Sequence, residues 1–323
     1  MKRIEAPHSP RHSGPGSGGG MSEFRWRAGE KEKGLELVEA VSGYLAITEK
    51  EASDLIDFGS VYVCDRMERN RSAKLSGGEQ IVADLGARGA GRFYEIDPSR
   101  VIFRDRFLLA YDKEAGIASQ QVPFDAYNNV YAAIVRHLGA RRSGEGYAAL
   151  HHRLDRETSG LLLFCLARKA NEPLAAAFRE RKVKKDYLAW VEGFVQNDSW
   201  SCEAPIGKAG GKYKAVSRGQ GKSAATSFTV LCRQEGRSLV IASPHTGRTH
   251  QIRIHLALAG HPVAGDRAHG ANPAGRLYLH AWRLRLKHPV SGELLSLEAP
   301  VPAGWPDASE MDSLPPCSGD QEK

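Results

Sequence analysis

The chain has 323 residues, 41% of them hydrophobic, enough to bury one large core or two smaller ones. Lys and Arg outnumber Asp and Glu by 45 to 38, a net charge of +7 that suits a polyanionic partner, nucleic acid first, and equally a generally basic surface. No apolar run approaches membrane-spanning length, the amino terminus lacks a secretory apolar core, and the cysteines (64, 165, 202, 232 and 317) form no C-x-x-C pair, which argues against a membrane protein, a disulfide frame and a zinc site and for reduced thiols in the cytoplasm.

Residues 1–22 are rich in Gly, Pro, Ser and His and predict a disordered tail. A small α/β module is expected over 23–86. Thr48 and Glu51 have capping-box spacing, Ala52, Leu55 and Ile56 recur at helical spacing, and Gly59 ends that helix. Residues 61–63 and 80–83 read as strands, with a basic turn at 74–78 between them. Residues 87–100, containing Gly89, Gly91 and Pro98, suit a linker.

Residues 101–103 and 108–111 read as strands, the second running into a turn at 112–117, and Val130, Ile134 and Leu138 mark one face of a helix over 128–138. After a loop at 139–146 comes His152 to Gly160 (HRLDRETSG), then the apolar run 161–166, which is too short for a core helix and reads as a buried strand. Asp155 therefore sits in the turn that feeds a buried strand, a place where rigid sheets display functional groups. The hydroxyls of Thr158 and Ser159 can satisfy the backbone or the carboxylate, and Gly160 permits an unusual backbone angle. On these residues alone Asp155 also reads as a plain turn carboxylate paired with Arg153 or Arg156.

Asn171 and Pro173 open a helix that buries Leu174, Ala177 and Phe178. The run Arg179, Arg181, Lys182, Lys184 and Lys185 is either a solvated face or a phosphate contact, and Tyr187 opens a core strand over 187–193. Residues 207–222 interleave Lys208, Lys212, Lys214, Arg218 and Lys222 with glycines, a flexible basic hairpin or loop that can follow a phosphate backbone. A strand at 239–242 empties into 245–256 (HTGRTHQIRIHL), where Thr249 is the expected N-cap of a helix that Gly260 and Pro262 stop. Arg253 emerges in the first turns of that helix, where it can pair with a buried carboxylate and keep it ionised. Histidines 245, 250, 255 and 261 lack metal-ligand spacing and nearby cysteines, so no metal is expected.

The HRLDxxTSG stretch with its apolar strand resembles the motif of the RluA-type RNA pseudouridine synthases. Three further stretches resemble that family in the same order: the turn at 112–117, with Glu114 where the family has proline; 246–255 (TGRTHQIRIH) with Gly260, His261, Pro262, Gly265 and Asp266; and the strand at 276–281. The resemblance implies an α+β fold, a mixed, largely antiparallel sheet flanked by helices, over 101–309, followed by a polar tail at 310–323. It implies Asp155 as the catalytic residue, Arg253 as its partner and Tyr187 stacked on the target base. Leu279 would pack against that base and Arg153 would fill the space it leaves. Thr158, Arg248, His250 and Gln251 would line the substrate site, and Lys182, Lys184, Lys185, Lys212 and Lys214 would meet the RNA backbone. The turn at Glu114 should be looser than one with proline. Residues 23–86 resemble the small RNA-binding module named after ribosomal protein S-four, although Cys64 and Asp65 replace its usual Asn-Gly hairpin and the 48–58 helix is acidic.

The activity so implied is isomerisation of an extruded uridine to pseudouridine, with no cofactor and no metal; neither a G-x-G-x-x-G after a strand nor a Walker loop occurs. By family analogy the partner is RNA, ribosomal RNA favoured over transfer RNA, with no membrane and a monomer expected. Two other classes stay open: a non-catalytic RNA-binding protein that kept the fold, or a hydrolase of RNA using Asp155 with His152.

Overall fold

A computed structural model describes residues 23–57, 59–84, 94–121, 128–139, 147–234, 236–303 and 305. The expected tails at 1–22 and 310–323, and the loop at 140–146, lie outside these residues. The chain divides into two compact units, one of residues 1–93 with 122–128, the other of 94–121 and 129–323.

The smaller unit runs β1 (Glu23–Arg27), α1 (Leu37–Leu45), α2 (Glu49–Asp57), β2 (Val61–Val63), β3 (Arg66–Met67) and β4 (Gln80–Asp84). Its strands form one antiparallel sheet in the order β1-β4-β2-β3. Leu37 and Val41 of α1, Ala52, Leu55 and Ile56 of α2 and Ile81 of β4 share its core. The capping box opens α2 as the sequence suggests: Glu51 N–H donates to Thr48 Oγ1 (3.2 Å) and Thr48 N–H to Glu51 Oε2 (2.8 Å). Neither β1 nor α1 is announced by the residue pattern, since α1 carries Val38, Val41 and Gly43 in only nine residues.

In the larger unit, Tyr94 and Ile96 are buried in the core ahead of β5 (Val101–Arg104) and β6 (Leu108–Lys113). There follow α3 (Val130–Gly139), β7 (Ala149–Leu150), β8 (Ser159–Cys165), α4 (Arg168–Arg179), β9 (Lys184–Glu192), β10 (Ser199–Cys202), the hairpin β11 (Ile206–Ala209) and β12 (Lys212–Ala215), β13 (Thr226–Gln234), β14 (Arg237–Pro244), α5 (Gln251–Leu258), β15 (Leu279–Lys287) and β16 (Leu294–Glu298). Ten strands form one sheet, ordered β10-β13-β14-β9-β15-β8-β6-β5, with β16 on β15 and β7 on β8. Among the described residues every strand pairing in it is antiparallel except β8 with β15. That is a mixed, largely antiparallel sheet with helices packed on it.

The sheet explains why β8 reads as an unbroken apolar run. Leu162 and Phe164 face one core, with Val130, Ile134 and Leu138 of α3. Leu161, Leu163 and Cys165 face the other, with Ala170 and Leu174 of α4. A strand covered on both faces has no polar side to alternate. Helix α4 begins at Arg168, ahead of Asn171, and holds Pro173 inside it. Pro173 has no N–H to give to Lys169 O, so α4 lacks one i→i−4 bond there.

Gly160 sets the join between the Asp155 turn and the sheet. It pairs with Lys113 on β6 and with Ala281 on β15, at φ +108. A Cβ there would lie 2.7 Å from Ala281 N and closer still to its carbonyl oxygen. Gly160→Ala should therefore destabilise the protein by at least about 2 kcal/mol, the strain of a disallowed backbone angle plus the displaced strand. Urea unfolding measures this, and a loss below about 0.5 kcal/mol would show that the β8–β15 join yields freely.

Candidate active site

Asp155 sits in the turn ahead of β8, and three neighbours hold that turn. Ser119 Oγ donates to Leu154 O (2.8 Å) and accepts from Leu154 N–H (2.9 Å). The Thr158 N–H closes the turn on Asp155 O at 3.1 Å. Lys113, fully buried, sends its ammonium into three carbonyl oxygens: Glu114 (2.7 Å), Ile117 (2.7 Å) and Arg156 (3.0 Å). Burial pushes this lysine down to about 7, against the opposing charges of Glu114, Glu157 and Asp155. Gly116 N–H adds a further bond to Arg156 O (2.9 Å), and Arg156 Nε one to Gly116 O (2.8 Å). The 113–119 segment and the 154–158 turn are thus one hydrogen-bonded body. Glu114, where the family has proline, is itself tied into this body: its Oε2 accepts from Tyr94 OH at 2.6 Å, and its carbonyl oxygen accepts from Lys113.

Arg253 meets Asp155 from across 98 residues of sequence: its Nη1 donates to Asp155 Oδ2 at 3.2 Å. The rest of the guanidinium is committed to Asp266, with Nε to Oδ2 at 2.7 Å and Nη2 to Oδ1 at 2.6 Å. Side-chain exposure rises from 0% at Asp266 through 10% at Arg253 to 29% at Asp155, so the buried acid orients the arginine and the arginine presents the accessible acid. His250 Nε2 lies 3.8 Å from the same Asp155 oxygen, and its Nδ1 is 3.2 Å from His269 Nε2. Burial pushes both imidazoles down, only partly opposed by Asp155 and Asp266. With both histidines neutral, two carboxylates and one guanidinium leave the cluster with one net negative charge.

Tyr187 on β9 lies between Ala242 of β14 and Ala281 of β15. Burial and the charge of Asp155 push its phenol up, so it stays protonated beside the carboxylate. Leu279 opens β15 opposite Ala189 and is buried in the core with Val240 and Ile252. Arg153 is exposed, and Thr158 is buried.

The RNA pseudouridylate synthase family profile matches residues 108–258 of this chain. The chain is 38% identical to the ribosomal large subunit pseudouridine synthase C of Pasteurella multocida over 215 residues, covering 62% of this chain and 64% of that protein, a little under two thirds of its length. It is 35% identical to the ribosomal large subunit pseudouridine synthase D of Nitrosomonas europaea over 243 residues, covering 71% of this chain and 70% of that one. The chain belongs to the RNA pseudouridine synthase family. The solved structure of human RNA pseudouridylate synthase domain containing 4 shares the fold, with a TM-score of 0.54 at 22% identity over 64% of this chain and 89% of that one.

Several residues of this pseudouridine synthase family member sit differently from the sequence-based expectation. Gln251 does not face the site. Its amide is buried and fully used: Oε1 accepts from Thr246 Oγ1 (2.6 Å) and Arg248 N–H (3.0 Å), while Nε2 donates to Ala225 O (2.9 Å) and Thr226 Oγ1 (2.9 Å). It braces the loop before α5 against β13. The N-cap of α5 is His250 in the left-handed conformation (φ 56), not Thr249, because the Gln251 brace sets where the helix begins. Arg248 is half-buried, its Nε on Ser223 O at 2.9 Å.

The expected basic run is split by the strand. Lys184 and Lys185 lie in β9, and alternation turns Lys184 out to solvent and Lys185 inward, where burial pushes its ammonium down. Lys182 is exposed and paired with Glu180 at 2.6 Å; Lys212 and Lys214 are exposed on β12. The four histidines considered as metal ligands have separate partners: His245 on Ser227 Oγ, His250 on His269, His255 between Thr226 Oγ1 and Ala204 O, and His261 on Glu192 O. No metal-binding cluster of His, Cys, Asp or Glu occurs among the described residues.

His152 cannot act as the acid or base of a hydrolase. Its Nε2 accepts the Leu163 N–H (2.9 Å) and its ring stacks on Phe178 at 4.9 Å. Burial, helped by the charge of Lys185, pushes it down to about 3. An unfolded chain takes up that proton near pH 6.5 and the folded chain only near pH 3, so between these values the unfolded state binds more protons and stability falls as the pH falls. The effect is on the order of 4 kcal/mol. Unfolding free energy measured from pH 7 to pH 3.5 should drop steeply, and His152→Gln should remove up to one proton from that slope; equal slopes in the two proteins would refute the neutral, buried assignment.

Proposed function

We propose that this protein is an RNA pseudouridine synthase that isomerises a uridine of folded RNA, with Asp155 as the catalytic residue. The observation that carries the reading is the Asp266–Arg253–Asp155 chain, which holds an accessible carboxylate beside a protonated tyrosine and in contact with a fixed cation. The reaction breaks the bond from uracil N1 to ribose C1′, turns the base, and joins C5 to C1′; the C5 proton leaves and N1 gains one. Positive charge develops at the sugar as N1 departs, as in glycosidic cleavage generally. A cluster with one net negative charge favours that state. Asp155 would then act on the sugar, either by attack at C1′ or by removing a sugar proton. Nothing is oxidised or reduced overall.

The glycosidic bond of a stacked uridine is out of reach, so the nucleotide would be extruded. In this proposal Tyr187 stacks on the uracil, Leu279 and Thr158 supply the walls next to it, exposed Arg153 fills the gap in the RNA, and His250 and Arg248 flank the sugar-phosphate. Lys182, Lys184, Lys212 and Lys214 are the outward cations available to phosphates. The names of the relatives favour large-subunit ribosomal RNA over transfer RNA as substrate, and in this proposal the protein meets it in the cytoplasm. No helix among the described residues is long and apolar enough to cross a membrane. In the smaller unit, Arg66, Arg69 and Lys74 offer RNA a better face than the acidic α2, whose Asp57 is itself paired with Arg71 at 3.0 Å.

The test uses RNA carrying tritium at uridine C5. The protein should release label without cutting the chain. Asp155→Asn should lower the rate by more than about 10³-fold, and Arg253→Lys, which cannot fork to two acids, by about 10²-fold. Undiminished release by Asp155→Asn, or shortened RNA, would overturn the proposal.

A further inference from the structure

A hollow of about 280 Å³ opens between the β11–β12 hairpin, residues 221–222 and the loop before α5, lined by Lys208, Tyr213, Lys222, Gly247, Arg248 and Thr249 among others. Its volume is at the small end for a ligand site, suited to part of a nucleotide rather than a larger molecule.

Its walls are held by backbone bonds. Ile206 and Lys222 exchange two main-chain hydrogen bonds, each 3.0 Å, which fixes Lys222 opposite β11. Gly221 makes that approach possible, for a Cβ there would lie 2.7 Å from Ile206 O. Arg248 is tied through Nε to Ser223 O at 2.9 Å. Lys208 and Tyr213 are direct cross-strand partners, with the ammonium 5.4 Å from the ring centre. Alternation along the hairpin puts these two on the same face as Ile206 and Ala215, toward the hollow, and Lys212 and Lys214 on the opposite face. Three cations and one exposed aromatic ring therefore converge on one small cavity.

Thr249 lines this hollow, and the next residue, His250, faces Asp155 at 3.8 Å. One turn therefore supplies both a wall of the hollow, through Thr249, and a side chain that reaches toward the catalytic carboxylate, through His250. We propose that it is a second nucleotide subsite: it holds the unstacked RNA nucleotide next to the extruded uridine, the base on Tyr213 and the phosphate among Lys208, Lys222 and Arg248. Splayed single-stranded nucleotides are recognised in this way, by an aromatic face together with basic groups. A ring that stacks without reading base edges gives little sequence preference at that position. The inference rests on the synthase reading for the identity of its neighbour, though not for the cavity itself.

The test uses the full chain and a short oligouridylate carrying one 4-thiouridine. Near-ultraviolet irradiation followed by peptide mapping should place cross-links on Tyr213 or Lys222. Tyr213→Ala and Lys222→Ala, both on exposed side chains, should each weaken binding of the unmodified oligomer by about tenfold. In the tritium assay they should raise KM with little change in kcat. Cross-links confined to other segments, or affinities within twofold of the parent, would overturn the subsite and leave the synthase reading standing. Cross-links at Tyr213 with no isomerisation of any RNA would keep the subsite and sink the synthase reading.

Discussion

The structure of the site depends on how one guanidinium divides its donors. Arg253 spends Nε and Nη2 on the fully buried Asp266 and has Nη1 left for Asp155. A flexible cation reaching a surface acid would cost side-chain entropy for little gain. Here the bidentate pair has already fixed the fork, so the contact to Asp155 adds little further ordering. The arrangement is also intolerant: loss of Asp266 would leave a largely buried arginine with a single, partly exposed partner, a kind of change that costs roughly 3–5 kcal/mol when a buried pair is broken.

The second requirement is that Asp155 be as rigid as the arginine that meets it. Lys113 supplies that by an uncommon use of a charged group, an ammonium donating all its hydrogens to main-chain oxygens inside the protein. Its burial opposes its charge, and three short bonds to carbonyls offset the opposition. Because one of the three belongs to Arg156 and the others to the 113–119 segment, the lysine ties β6 to the turn before β8. Gly160 then hands the turn over to β15 at a distance no side chain would permit.

Much of this could be read from the residues. The β8 run is legible because burial on both faces erases alternation, and α2 because its cap and its periodicity agree. Arg253 is legible because it stands beside apolar positions at the start of a short helix. What could not be read were the roles that depend on a partner distant in sequence. Asp266 looks like a loop acid, since nothing local says that a guanidinium 13 positions earlier turns back onto it. Lys113 looks like a surface lysine in a turn, and Ser119 like filler. Gln251 and His152 err the other way: polar residues beside catalytic-looking neighbours suggest chemistry, yet the Gln251 amide is used up by internal bonds, and His152 is held by Leu163 N–H at Nε2 and by Phe178 against its ring. Lys185 shows the same limit, because a run of cations does not reveal which of them a strand turns inward.

In this reading Asp266 acts on the reaction chiefly by holding Arg253 against Asp155. A double-mutant cycle on kcat/KM, comparing Asp266→Asn, Arg253→Gln and the double variant, tests it directly. The double variant should be no slower than Arg253→Gln alone, since an arginine that is absent cannot be oriented. Losses that multiply across the two positions would contradict it.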